Sequence, residues 1–199
     1  MRASGVILAG GKSTRMGCNK AVLEIGGRPL IDRLVHGLQG IFPEVVIVAN
    51  TPGLYDHLGV PVVPDLIPDK GSLGGIYTAT ATARHPWAFV MACDMPFFNP
   101  VLIRYLTTLI EGWDAVVPYT DDWEPLYALY AKTCLPQMER LIHSGDLKIA
   151  RFFPHVRVRQ VGREELKPYD PHERSLFNMN TPEELARAEE WWRQLTATG

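Results

Sequence analysis

Short apolar runs alternate with helical stretches along most of this chain, and that alternation admits few folds. Residues 5–9, 45–49, 60–63 and 87–93 each read as a buried strand, as do 114–118 and 126–131. Between them, residues 29–41 carry Leu30, Ile31, Leu34, Val35, Leu38 and Ile41 on one helical face, with Pro29 near the start. Residues 72–84 read as a helix of small residues and 99–111 as another. Strands that are apolar on both sides must be covered on both sides, so the pattern predicts a largely parallel sheet between two helical layers. In such sheets ligands sit beyond the carboxyl ends of the strands. That rule puts Gly10, Asn50, Asp65 and Asp94 on one rim, because each follows a predicted strand.

The second half is less regular. Residues 133–143 and 146–153 read as helices, and 156–161 as an edge strand with arginines alternating outward. Residues 164–174 are polar, contain two prolines, and read as a loop. The last helix starts with Thr181 as N-cap, Pro182 at the first helical position and Glu184 completing a capping box, and runs to about Leu195. Trp191 and Trp192 read as packing residues on it. At 199 residues, with no internal repeat or linker, the chain is expected to be one domain over 1–199.

Residues 6–20 carry the most chemistry. The apolar strand runs into Gly10-Gly11, then Arg15, Gly17 and Lys20. Paired glycines let a ligand approach the backbone, because no Cβ stands in the way. Backbone N–H groups in such a turn can point at phosphate oxygens, and Arg and Lys add fixed positive charge. Gly11-Lys12-Ser13 resembles the end of a P-loop, but that pattern needs glycine where Val6 stands. The dinucleotide pattern G-x-G-x-x-G fails as well, since Gly11 directly follows Gly10. Handling of a nucleoside triphosphate remains the chemistry implied. Lys20 would neutralise phosphate as a point cation, and Arg15 would do the same at the pyrophosphate end.

Asp94 ends a buried strand, a natural place for a Mg²⁺ ligand, because Mg²⁺ at phosphoryl-transfer sites takes one or two carboxylates and completes its shell with phosphates. Asp65 can accept from the N1–H and N2–H₂ groups of guanine, an edge that uracil and cytosine do not present; it also fits an ordinary turn. Asn50 suits either a nucleobase contact or a turn with Pro52. Gly71, Gly74 and Gly75 would let a helix start approach a ring, or would serve helix packing. The formal net charge of −2 supplies no broad cationic field, so neither nucleic acid nor a membrane is an expected partner. The three cysteines are widely spaced and offer neither a disulfide framework nor a zinc pattern, and Cys93 reads as a small core residue. No basic-then-apolar leader and no apolar run near ~20 residues is present, so a cytoplasmic protein is expected. The histidines share no spacing, and nothing requires a covalent intermediate.

Leu8, Ala9, Gly11, Ser13, Arg15, Met16, Gly17 and Lys20 match L-A-x-G-x-[ST]-x-R-M-G-x-x-K, the signature of nucleotidyltransferases with a Rossmann-like fold. Three further segments resemble the molybdenum cofactor guanylyltransferases, the MobA family. They are Cys93-Asp94-Met95-Pro96-Phe97, Glu124-Pro125-Leu126-Tyr127-Ala128-Leu129-Tyr130, and the run from Phe177 through Asn178 and Asn180 to Leu185. Gly71 with Leu73-Gly74-Gly75 resembles the family's G-P-L-x-G turn, with Ser72 in place of proline. The match spans residues 5–191. The resemblance implies a three-layer αβα Rossmann-like fold with a mostly parallel sheet. It implies transfer of GMP from GTP to molybdenum-molybdopterin with release of pyrophosphate, and Mg²⁺ as the metal. It assigns Arg15, Lys20 and Asp94 to catalysis and Asp94 to the metal. Leu8, Ala9, Gly10, Gly11, Lys20, Asn50, Asp65, Gly75, Asp94, Asn178 and Asn180 would line the nucleotide and pterin sites; Asn178 and Asn180, two residues apart before the last helix, would otherwise fix the turn into it. Molybdopterin-delivering proteins and acceptor molybdoenzymes would be its partners. A cytidylyltransferase for the same cofactor, a sugar-phosphate nucleotidylyltransferase and a catalytically silent nucleotide-binding partner are the alternatives. Cys93 before Asp94 and the paired Gly10-Gly11 favour guanylyl transfer.

Overall fold

The computed structural model describes residues 2–10 and 23–197. Arg15, Lys20 and Gly11 therefore lie outside the described residues. Strand β1 (Ala3–Leu8) is buried along its whole length, as a strand covered on both faces must be. A small hairpin, β2 (Glu24–Ile25) and β3 (Arg28–Pro29), turns on Gly26 and Gly27, both at positive φ. No apolar alternation marks so short a pair, and it was not predicted.

Helix α1 (Leu30–Gln39) buries the predicted stripe of Leu30, Ile31, Leu34, Val35 and Leu38. The chain continues through β4 (Val45–Val48), β5 (Val62–Val63), α2 (Gly71–Thr82) and β6 (Trp87–Ala92). Helix α3 (Pro100–Thr108) is capped by Asn99, whose side chain accepts from the N–H groups of Val101 and Leu102. Then follow β7 (Ala115–Tyr119), β8 (Tyr127–Ala131), α4 (Leu135–Ser144), β9 (Val158–Gly162), the single turn α5 (Arg163–Leu166) and α6 (Pro182–Ala197).

Seven strands form one sheet in the order β5-β4-β1-β6-β8-β7-β9. The first four are mutually parallel, β8 is antiparallel to both neighbours, and β9 returns parallel to β7. Side chains alternate across the sheet. Ala3 and Ile7 face the core under α1, α3 and α6, whereas Val6 and Leu8 face the core under α2 and α4. The mostly parallel three-layer αβα arrangement expected from the pattern is thus present.

Three expectations need correction. Residues 146–153 do not form a helix; the chain makes two 3-10 turns, Ile149–Arg151 and Phe153–His155. Pro154 lacks the N–H that a continuing helix needs, and Phe152 and Phe153 are buried against Tyr130 and Trp123. Residues 164–174 are not simply a loop, since they begin within α5. Cys93 is only half-buried, whereas Cys134 is fully buried, and burial pushes its thiol up to about 12. The packing role of Trp191 holds: its ring contacts Phe97 and Phe177 at 5.7 and 5.0 Å between centroids.

Candidate functional site

The strand register explains why four separate segments reach one place. Leu8 is paired with Val48 on one side and Ala92 on the other, and Val48 is paired with Val63. These four residues form one row across the sheet. Gly10, Asn50, Asp65 and Asp94 each stand two residues beyond that row, so they share the carboxyl rim. The strands come in the order β5-β4-β1-β6. Asp65 and Asp94 are therefore three strand spacings apart, roughly 14 Å, and cannot share one ion.

At the β1 position the sheet continues one step past the strand. Leu8 C=O accepts from Cys93 N–H at 3.0 Å, and Ala9 N–H donates to Val48 C=O at 2.9 Å. Both residues are 8% exposed, so their side chains belong to the core. Gly10 is exposed. A Cβ there would meet its nearest described neighbours only at 3.8 Å, and its φ is not positive. Neither packing nor conformation among the described residues calls for glycine at this point.

Asn50 and Asp65 hold each other across the rim. Asn50 Nδ2 donates to Asp65 Oδ2 at 2.7 Å, and Asp65 N–H donates to Asn50 Oδ1 at 2.9 Å. Both ends of the Asn50 amide thus serve to orient Asp65. Among the described residues Asp65 Oδ1 carries no hydrogen bond, and it remains an acceptor in fixed orientation. The next residue is tied down as well, because Leu66 N–H donates to Thr78 Oγ1 at 3.0 Å on α2. Gly75, expected beside the ligand, is buried on α2; a Cβ there would come within 3.1 Å of Leu8 Cδ1. It is the glycine at which α2 lies closest on β1.

Asp94 occupies the turn after β6 and is half-buried. Its carbonyl accepts from Met179 N–H at 2.9 Å. That bond holds the remote segment 177–180 against the β6 end of the rim. Met179 is buried, Asn178 is half-buried and Asn180 is exposed, so the two asparagines flank an anchored residue. Asn178 Nδ2 donates to Leu176 C=O at 3.3 Å. Asn180 N–H donates to Glu184 Oε2 at 2.6 Å, and the capping box is complete, with Thr181 N–H on Glu184 Oε2 and Glu184 N–H on Thr181 Oγ1.

One carboxylate near this rim was not singled out as a site residue. Glu124 precedes β8, whose approach is joined to β6 by Ala92 N–H donating to Leu126 C=O at 3.1 Å. Burial raises the Glu124 carboxyl above its ordinary value, while a bond from Thr120 Oγ1 opposes that rise. Only its place in a recognised segment pointed to it, since a lone glutamate before a strand has no pattern of its own. Among the described residues no group of three His, Cys, Asp or Glu side chains is placed to hold a metal. Among the described residues Asp94 is therefore not part of a cage of three or more such ligands.

A family model for the MobA-like NTP transferase domain matches residues 5–160. The chain is 41% identical over 189 residues to a probable molybdenum cofactor guanylyltransferase of Pelotomaculum thermopropionicum, covering 94% of this chain and 92% of that one. It is also 41% identical to a molybdenum cofactor guanylyltransferase of Desulfosudis oleivorans, covering 94% of each. Among solved structures it is similar to molybdopterin-guanine dinucleotide biosynthesis protein A of Archaeoglobus fulgidus. That likeness has a TM-score of 0.85 and 30% identity, and covers 96% of this chain and 99% of that one.

Proposed function

The chain belongs to the MobA-like NTP transferase family, and from that premise we propose that it transfers GMP from GTP to molybdenum-molybdopterin, forming the guanine dinucleotide cofactor and releasing pyrophosphate. The observation that carries the choice of base is the Asn50–Asp65 pair, a carboxylate held in one orientation at the β5 end of the rim. Guanine offers N1–H and N2–H₂ side by side, and a fixed carboxylate accepts from both. A fixed acceptor of this kind disfavours a base that leaves it unpaired.

The rim then divides by role. Asp65 takes the base, with Asn50 orienting it. Gly10, between the two acids on the rim, lets the nucleotide lie close to the backbone, and Gly11 would extend that role. Arg15 and Lys20 neutralise the phosphates. Asp94 fits Mg²⁺, a hard cation that usually takes one or two protein carboxylates and fills its octahedron with phosphate and water oxygens. When bound, Mg²⁺ would offset the negative charge of the triphosphate. Asn178 and Asn180 face the acceptor from the segment anchored on Asp94.

In the reaction, an oxygen of the acceptor's terminal phosphate attacks the α-phosphorus of GTP. A new phosphoanhydride bond forms as the bond from the α-phosphorus to its bridging oxygen breaks, and pyrophosphate leaves with that electron pair. The attacking phosphate monoester is already anionic at neutral pH, so no general base is required. Positioning and charge stabilisation supply the catalysis. We place the enzyme in the cytoplasm as a single domain over 1–199, handling cofactor between molybdopterin-delivering proteins and acceptor molybdoenzymes. Thermal-shift titration with GTP, CTP, UTP and ATP plus Mg²⁺ tests the base, because a selective ligand raises the melting temperature by mass action. A rise with GTP alone supports it; an equal rise with CTP contradicts it.

A further inference from the structure

A buried carboxylate outside the rim connects to it through a short run of bonds. Asp170 is 7% exposed and lies in the segment that sequence patterning reads as a polar loop. A buried carboxylate persists only with donors around it. Asp170 Oδ1 accepts from Arg174 N–H at 3.1 Å, and Oδ2 accepts from Ser175 N–H at 2.9 Å and from the Ser175 hydroxyl. Ser175, 1% exposed, stands beside the buried phenol of Tyr127 on β8, whose hydroxyl donates to Asn99 C=O at 3.5 Å. Burial holds that phenol well above the ordinary tyrosine range, so it stays neutral.

These bonds close a tight turn. Asp170 C=O accepts from Glu173 N–H at 3.1 Å, and Glu173 adopts φ +52°, a left-handed conformation that a glutamate keeps only when its surroundings impose it. The 3-10 turn Arg174–Leu176 follows directly. Leu176 C=O receives the Asn178 amide, and Met179 N–H reaches Asp94 C=O. From Asp170 to Asp94 the chain is thus held at residues 174, 175 and 179, with Asn178 tied to Leu176 between them and Asn180 following the last of these, its N–H on Glu184.

We propose that Asp170 is a positioning residue for the acceptor half of the site: by clamping residues 174 and 175 against β8 it sets where Asn178 and Asn180 stand relative to Asp94. The inference rests on the reading that these asparagines face the acceptor. Asp170 itself touches neither substrate. Its carboxylate can satisfy three donors at once, whereas an amide in its place would turn its own N–H₂ toward an N–H or O–H donor.

The test compares Asp170→Asn, Ser175→Ala and Asn178→Ala in the full chain. Steady-state kinetics use molybdenum-molybdopterin as the varied substrate, and GTP affinity is measured by calorimetry with Mg²⁺. Asp170→Asn should raise the acceptor KM about tenfold or more, the scale for small misplacement of a positioning group, with kcat at saturating acceptor and GTP affinity held. Ser175→Ala, which keeps the carboxylate and loses one donor, should shift the acceptor KM in the same direction by less; it carries the test if Asp170→Asn fails to fold. If Asn178→Ala raises the acceptor KM while Ser175→Ala and every folded Asp170→Asn sample leave it unchanged, Asp170 is only structural and the inference is overturned. If Asn178→Ala itself leaves the acceptor KM unchanged, the acceptor reading of this segment fails first.

Discussion

Replacing Asp65 by alanine separates base recognition from every other feature of the site. The carboxylate stands at the rim with Oδ2 bound by Asn50 and Oδ1 without a hydrogen bond among the described residues. Guanine would place two N–H donors on it. Hydrogen bonds to a charged group contribute about 1.5–3 kcal/mol each, and the half-exposed setting favours the low end. The pair is then worth about 3 kcal/mol, or roughly a hundredfold in Kd. Adenine lacks both donors, so ATP affinity should change by less than about twofold, within the 1.4 kcal/mol that marks a tenfold change. Asn50 is exposed, so water takes over its amide when Asp65 is removed, and the melting temperature should stay near wild type. Asn50→Ala should act in the same direction but by about tenfold, because it loosens the carboxylate without deleting it. Calorimetric titration of each variant with GTP and with ATP, both with Mg²⁺, reads these numbers. Equal losses for GTP and ATP, or an unchanged GTP Kd in Asp65→Ala, would refute the assignment of the base to this end of the rim.

Asp94→Asn should lower turnover by roughly 10²-fold or more at saturating Mg²⁺, the scale for losing a key electrostatic group, and near wild-type turnover would remove Asp94 from the reaction. Lys20→Ala should keep its melting temperature without nucleotide and lose the rise that GTP induces; a lower melting temperature in the apo protein would instead make Lys20 structural. Stability should also depend on Asp114. Hydrogen bonds from the Arg157 guanidinium and backbone and from Thr133 hold its carboxyl well below the ordinary aspartate range. A carboxyl depressed in the folded state stabilises the fold above the unfolded pKa of about 4 and loses that contribution as pH falls further. The melting temperature of wild type should therefore exceed that of Asp114→Asn at pH 7, and the gap should close as pH drops below about 4; a gap independent of pH would contradict the ion pair's role.

The rim was legible because strand ends in a parallel sheet have a fixed meaning. A fully buried strand shows as a continuous apolar run, and the residues that follow it emerge on the ligand side, which is how Asn50, Asp65 and Asp94 could be placed from the sequence. The partnership of Asn50 with Asp65 was not legible, since fifteen residues of chain separate them and only the β4–β5 pairing brings them together. Leu8 and Gly75 stand in segments tied to the ligand by sequence, and of the two roles open for Gly75 the structure shows helix packing against Leu8. The insertion of β8 between β6 and β7 leaves no local trace, because strand order is a tertiary property. Asp170 was missed for a related reason. A lone aspartate in a polar stretch reads as solvated, and only the return of that stretch onto Tyr127 and Ser175 buries it.

The most direct measurement follows the nucleotide itself. Purified protein is incubated with Mg²⁺, molybdenum-molybdopterin and GTP labelled at the α-phosphate, with parallel reactions containing α-labelled CTP. Guanylyl transfer requires label from GTP to appear in the cofactor with one pyrophosphate released per label transferred, while CTP donates little or none. Transfer of label from CTP at a rate equal to GTP, or pyrophosphate release from GTP without label in the cofactor, would contradict the function assigned to this site.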